Sequence, residues 1–106
     1  GAINFAVDIC GINKNRLSYI LGVSPSELDE FYNGSLDLPA RPKKILRAFT
    51  AMQSLLLSGY SAKRAEAWMS TPDPSLGYNT PHTLLYQGTE DSIRMVLSAV
   101  QQRMAH

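Results

Sequence analysis

The residues best suited to covalent or metal chemistry are one cysteine, Cys10, and two histidines, His82 and His106. A single cysteine excludes an intrachain disulfide and a cysteine-based zinc site. Neither histidine belongs to a metal-binding spacing such as His-x-x-x-His, and the chain has no glycine-rich phosphate loop or paired-carboxylate motif. Cys10 lies in an apolar segment and is predicted to be a small core residue. The sequence therefore favours a protein that is not an enzyme and uses no metal or cofactor.

Contact with phosphates is the second kind of chemistry to consider, and it depends on where the basic residues lie. Ten Lys and Arg balance nine Asp and Glu to a net charge of +1, so a whole-molecule attraction to nucleic acid is nearly absent. The charges are segregated, because residues 24–37 carry acids and no base, whereas residues 41–47 carry bases and no acid. Any phosphate contact must come from a local patch, for which the candidates are Lys14, Arg16, Lys43 and Lys44.

The composition is that of a globular chain, with 106 residues of which 44% are apolar and 18% charged. No apolar run approaches the roughly 20 residues that a membrane-spanning helix needs. We therefore expect a soluble cytoplasmic protein with no membrane partner.

The elements that position these residues are predicted to be helical throughout. Apolar residues recur at helical spacing, and no segment shows the alternation typical of a strand. Predicted helix starts have Ser or Thr as N-cap, at Ser24, Ser61, Thr80 and Thr89. A longer helix over residues 42–58 carries the broadest apolar stripe and is predicted to be the central element of the core. The fold class is therefore all-α.

Residues 17–34 carry the strongest local pattern, in which Gly22-Val23-Ser24 joins two short helices. This pattern resembles the Xre-type helix-turn-helix of repressors and antitoxins, over residues of about 3–57. In a DNA-binding copy the second helix enters the major groove, which would place Ser24 and Ser26 at base edges. That helix has no Arg, Lys or Gln and carries three carboxylates. Two readings stay open: a packing unit that reads no DNA, or weak or dimer-dependent binding through the basic candidates.

Residues 65–88 carry a second pattern, built from Trp68-Met69, Thr71-Pro72, Leu76-Gly77, Thr80-Pro81 and Leu84-Leu85. It resembles the toxin-binding domain of the Xre/MbcA/ParS antitoxin family over residues of about 61–104. Met69 replaces the usual leucine, and Tyr78 stands where a second glycine is common. We predict that the apolar members of this motif, Trp68 above all, belong to the core.

Contact with a partner must therefore come from the exposed positions around that motif. The candidates are Tyr78, Asn79, Tyr86, Gln101, Gln102, Arg103 and His106. Tyr and Arg are favoured anchors of protein interfaces.

The resemblance implies a helix-turn-helix domain over residues 3–58 and a toxin-binding domain over residues 59–106. It implies an antitoxin that covers the active-site entrance of a RES-type, NAD-consuming toxin, as a homodimer or a toxin–antitoxin hetero-oligomer, with weak autoregulatory binding to operator DNA. The alternative is a transcriptional repressor of phage or mobile-element origin whose C-terminal domain only mediates dimerisation.

Overall fold

The computed structural model describes residues 1–105, and this part of the chain consists of helices and connecting turns with no strand. The helices are α1 (Ala2–Asp8), α2 (Lys14–Leu21), α3 (Pro25–Tyr32), α4 (Ala40–Gly59), α5 (Ala62–Met69), α6 (Pro81–Gln87) and α7 (Glu90–Arg103), with a 3-10 turn at Pro74–Leu76. The predicted all-α fold class is confirmed. Among the described residues, no helix has both the length and the hydropathy that a membrane span requires.

Side-chain caps start five of the seven α-helices of residues 1–105. The Ser24 hydroxyl accepts from the Glu27 amide at 3.0 Å, and the Glu27 carboxylate accepts from the Ser24 amide at 2.9 Å, which forms a complete capping box. The hydroxyls of Ser61, Thr80 and Thr89 each accept from the backbone amide three residues later and cap α5, α6 and α7, and Asn13 caps α2. The helix starts predicted at Ser24, Ser61, Thr80 and Thr89 are therefore confirmed.

The core is organised around α4, which packs against α1 on one side and α7 on another. Phe49, Met52 and Leu56 of α4 are fully buried. Because α4 contacts elements from both ends of the sequence, one hydrophobic cluster connects the whole described chain. The division into domains at residues 58 and 59 stays a prediction.

The apolar members of the second sequence motif belong to this core, as predicted. Trp68 is 6% exposed, and Leu76, Leu84 and Leu85 are also buried. Trp68 precedes the irregular segment between α5 and α6, and Leu76 lies within it. Their burial fixes that segment against the body of the protein.

Helices α2 and α3 are joined by the three-residue turn Gly22–Ser24, where Gly22 has a left-handed φ of 72°. Helix α2 also packs against α6. At the end of α6, Gly88 lies so close to Ile20 that an added Cβ would meet Ile20 Cγ1 at 2.4 Å. The predicted helix-turn-helix segment is thus fixed directly onto the predicted toxin-binding segment.

Candidate interaction site

The segment between α5 and α6 is built around the carboxylate of Asp73, which is only 8% exposed. Its Oδ1 accepts hydrogen bonds from the Ser75 amide at 2.8 Å and the Ser75 hydroxyl at 2.6 Å. Its Oδ2 accepts from the indole Nε1 of Trp68 at 3.1 Å and lies 3.5 Å from Arg103 Nη1. The Ser75 hydrogen bonds, with those from Trp68 and the charge of Arg103, hold the pKa of Asp73 below its ordinary value. One buried carboxylate therefore fastens the segment to α5 and α7.

The backbone of the same segment closes on itself. The Asp73 amide donates to the carbonyl of Asn79 at 3.1 Å, and the Tyr78 amide donates to the carbonyl of Asp73 at 3.0 Å. The Asn79 side-chain amide donates to the carbonyl of Leu76 at 3.0 Å. We call residues 73–79, with these bonds, the Asp73 loop. Its conformation is fixed from within as well as by the core.

Tyr78 is presented at the tip of the Asp73 loop with its side chain 72% exposed. Its φ is 63°, and it is the only non-glycine residue with positive φ within residues 1–105. A left-handed conformation costs an L-residue with a side chain about 1–2 kcal/mol. Gly77 before it has the same conformation, with φ of 64°. Tyr78 thus has a left-handed backbone that glycine adopts more readily, and it presents an exposed aromatic ring.

Arg103, a predicted partner contact, makes contacts inside the protein. Its Nε donates to the Tyr60 hydroxyl at 2.5 Å, and its guanidinium lies 5.8 Å from the centroid of the Trp68 ring. Arg64 also stacks on Tyr60, because its guanidinium carbon lies 4.1 Å from the centroid of that ring. The guanidinium of Arg103 therefore helps to hold the end of α7 beside the Asp73 loop while remaining partly exposed.

Two other predicted contacts, Arg16 and Tyr86, lie together although one was assigned to DNA and the other to a protein partner. Arg16 Nε donates to the carbonyl of Tyr86 at 2.8 Å. Its guanidinium carbon lies 4.7 Å from the ring centroid of Tyr19 and 4.3 Å from that of Tyr86. Arg16 is thus sandwiched between two rings, and Tyr19 is 72% exposed beside it. We call these three residues the Arg16 sandwich.

The remaining DNA candidates are dispersed, and several are engaged by other groups. Lys14 pairs with Asp29, and Lys43 pairs with Asp37, at 2.9 Å. The hydrogen bond from Lys43 lowers the pKa of Asp37. The hydroxyl of Ser24 is used as the helix cap, whereas Ser26 and Lys44 are exposed.

The other predicted partner contacts are less constrained than Arg103. Asn79 is exposed in the Asp73 loop, and Gln101 and Gln102 are exposed on the last turn of α7. His106 lies outside the described residues.

Cys10 and His82, the candidates for covalent or metal chemistry among residues 1–105, lie beside each other. Cys10 is buried, and burial raises the pKa of its thiol far above the ordinary value. His82 is half-buried, and its Nδ1 donates to the carbonyl of Cys10 at 2.8 Å. No group of three or more His, Cys, Asp or Glu side chains within residues 1–105 is arranged to hold a metal ion.

Four residues of this site were not identified from the sequence: Asp73, Tyr60, Arg64 and Tyr19. The signal for Asp73 is the stretch Pro72-Asp73-Pro74-Ser75, in which an aspartate that precedes Pro-x tends to bond to the backbone two residues later. The signal for Tyr19 is its three-residue spacing from Arg16, which places both side chains on one helix face. The contacts of Tyr60 with Arg64 and Arg103 have no comparable local signal.

The fold and the site together define a small all-α protein that presents an ordered aromatic loop and an arginine sandwiched between tyrosines. No family model, curated protein or solved structure matches the chain.

The depressed pKa of Asp73 leads to a pH prediction. Because the carboxylate is favoured in the folded state, it contributes stability above its ordinary pKa of about 3.9, and this contribution is lost as the pH falls through the lower folded value. We expect the wild type to lose more stability between pH 6 and pH 2.5 than Asp73→Asn does. Urea unfolding of both proteins at the two pH values measures the difference. The exposed variant Asp91→Asn is the control, and equal losses for Asp73→Asn and wild type would contradict the assignment.

Proposed function

We propose that this chain is an antitoxin of the Xre/MbcA/ParS type, which binds a RES-type, NAD-consuming toxin and covers its active-site entrance. In this proposal it acts by occlusion and has no turnover of its own. The observation that carries the proposal is Tyr78, a strained and exposed aromatic residue on the fastened Asp73 loop. Strained backbone persists where the surroundings over-determine it, and it clusters at binding and catalytic sites.

The physical advantage of this arrangement is pre-organisation. A protein interface pays an entropic penalty when it orders loops and side chains on binding. The hydrogen bonds of Asp73 and Asn79 order the loop before any partner arrives. A tyrosine with only two side-chain torsions then adds a large contact area at a small additional penalty. These are the properties of an interface anchor.

The remaining partner candidates extend the contact surface on both sides of the anchor. Gln101 and Arg103 are on α7, which the Asp73 carboxylate connects to the loop through Arg103. Tyr86 lies in the Arg16 sandwich. We propose Tyr78, Asn79 and the exposed end of α7 as the primary contact, in a homodimer or toxin–antitoxin hetero-oligomer.

Weak autoregulatory DNA binding is a further part of the proposal. The α2–turn–α3 arrangement and the exposed Ser26 are compatible with it. The ion pairs of Lys14 and Lys43 and the stacking of Arg16 support only a weak phosphate contact, because these cations already have partners. For the same reason the alternative of a dedicated repressor has less support.

Tyr78→Gly tests the proposal, because it separates binding from folding. Glycine relieves left-handed strain of about 1–2 kcal/mol but has an entropic penalty of about 0.5–1 kcal/mol, so we expect stability to stay equal or rise by up to about 1.5 kcal/mol. Loss of an interface anchor is expected to raise the Kd by at least about tenfold. The measurements are urea unfolding and calorimetric titration against the product of the neighbouring gene, which the proposal predicts to be a RES-type toxin.

Tyr32→Ala is the matched control, since Tyr32 is another exposed tyrosine, on α3. We expect it to leave toxin affinity unchanged. Equal affinity of Tyr78→Gly and wild type would remove the basis of the proposal. Absence of toxin binding together with sequence-specific operator binding that weakens steeply with salt would favour the repressor.

A further inference from the structure

An open trough of about 380 Å³ runs between the N-terminal halves of α4 and α7, away from the Asp73 loop and the Arg16 sandwich. Its floor contains the half-buried side chains of Ala48, Ala51 and Leu97. The two alanines are three residues apart on α4, so they lie on one face and leave space above them. The floor is therefore aliphatic, and the space above it can admit side chains from another molecule.

The rim of the trough is predominantly positive. Lys44 and Arg47 lie on the α4 side, and within residues 1–105 neither has a carboxylate oxygen within 4.0 Å. On the α7 side Arg94 pairs with Asp91, and Glu90 is the acidic residue of the lining. The positive charge available to a bound partner therefore comes chiefly from Lys44 and Arg47.

We propose that this trough seats an amphipathic helix of a partner protein, with an aliphatic ridge that enters the floor and carboxylates that flank it. A helix in a groove between two helices is a common mode of peptide recognition. The positive rim selects acidic flanks by charge complementarity. This inference rests on the proposed function in one respect: the antitoxin proposal calls for a protein partner, and the trough would be a second contact with such a partner.

Other occupants fit the observations less well. A nucleic-acid backbone would use the cations but gain nothing from the aliphatic floor. A second copy of this chain offers α3 as its acidic helix, but Leu28 of α3 is fully buried and Phe31 is half-buried. Helix α3 therefore presents no aliphatic ridge to insert.

A synthetic probe peptide tests the inference without the toxin. The probe is an 18-residue fluorescein-labelled helix with Leu at positions i, i+3, i+4 and i+7 of one face, Glu on both flanks and Ala elsewhere. A second peptide has Lys in place of each Glu. Fluorescence anisotropy with the full chain is expected to show saturable binding of the acidic peptide and none of the basic one. Absence of binding by the acidic peptide overturns the inference.

Protein variants locate the binding. Arg47→Glu is expected to weaken binding of the acidic peptide about tenfold, because like charges then face each other across the rim. Lys63→Glu on α5 makes the same change in net charge outside the trough and is expected to have a much smaller effect. Equal effects of the two variants would mean that only net charge attracts the peptide.

Ala51→Lys distinguishes binding of the peptide inside the trough from attraction of the peptide by positive charge alone. Its aliphatic stem fills the floor while its ammonium adds positive charge. We expect weaker binding of the acidic peptide, whereas tighter binding would overturn the proposed seat. Circular dichroism confirms that each variant is folded.

Tyr78→Gly is expected to leave peptide affinity unchanged, so that failure of the trough and failure of the antitoxin proposal remain distinguishable. A DNA duplex probe provides the competing outcome. If Arg47→Glu reduces DNA binding and the acidic peptide does not bind, the trough belongs to a nucleic-acid surface instead.

Discussion

Trp68→Ala is expected to lower the free energy of unfolding by about 3–5 kcal/mol, the range for truncation of a buried aromatic side chain. Trp68, on α5, is 6% exposed and belongs to the hydrophobic core. The change also removes the indole hydrogen bond to Asp73 Oδ2. Urea unfolding followed by circular dichroism, which does not depend on tryptophan fluorescence, measures the loss.

Trp68→Phe is the control, since it retains most of the apolar area and removes the N–H donor. We expect it to lower stability by about 1–3 kcal/mol, the effect of breaking a buried hydrogen bond to a charged group. A loss below about 1 kcal/mol for Trp68→Ala would mean that the ring is not part of the core, because core truncations have larger effects. It would also remove the support that the Asp73 loop receives from α5.

Gly88→Ala is the second substitution with a large expected effect. Gly88 has φ of 73°, and a Cβ there would meet Ile20 Cγ1 at 2.4 Å. Left-handed strain of about 1–2 kcal/mol and overpacking of about 1–3 kcal/mol together predict a loss of about 2–5 kcal/mol. The same unfolding experiment measures it.

Gly34→Ala is the control for Gly88→Ala. Both glycines have a left-handed φ, but their surroundings differ. Gly34 has φ of 78°, and an added Cβ there would have no neighbour within 4 Å. We expect only the strain of about 1–2 kcal/mol. If the two variants lose equal stability, the close packing of α2 against α6 is not what restricts position 88.

The helices were predictable because their start signals are local. Ser24, Pro25 and Glu27 occupy fixed positions within one turn, so the capping box follows from their order alone. The same holds for Thr80 before Pro81, and for Gly22, whose left-handed conformation ends α2. Burial of Trp68 and the leucines followed from the motif that contains them.

The contacts that organise the candidate site were not predictable, because they join residues that are far apart in the chain. Arg16 donates to the carbonyl of Tyr86, which lies 70 positions away, and Arg103 donates to Tyr60, which lies 43 positions away. Apolar periodicity indicates which face of a helix is buried, but not which helix covers it. Assigning Arg16 to a phosphate contact from its charge alone therefore overlooked its stacking partners.

Tyr78 shows both sides of this limit. Its exposure was predicted from its position in the motif. Its left-handed φ and the bond from its amide to Asp73 depend on how the whole loop closes. Tyr78 was therefore predicted as a partner contact from the sequence, and the structure shows how its backbone is held.

The uninterrupted helix α4 has a consequence for any assembly that this chain enters. Only Tyr60 and Ser61 separate it from α5, and elements from both ends of the sequence pack along it. Because these elements are packed together, a molecule that binds around Tyr78 also fixes the orientation of α3 relative to itself. The orientation of α3 relative to a molecule bound at Tyr78 is then set by packed helices rather than by a flexible tether.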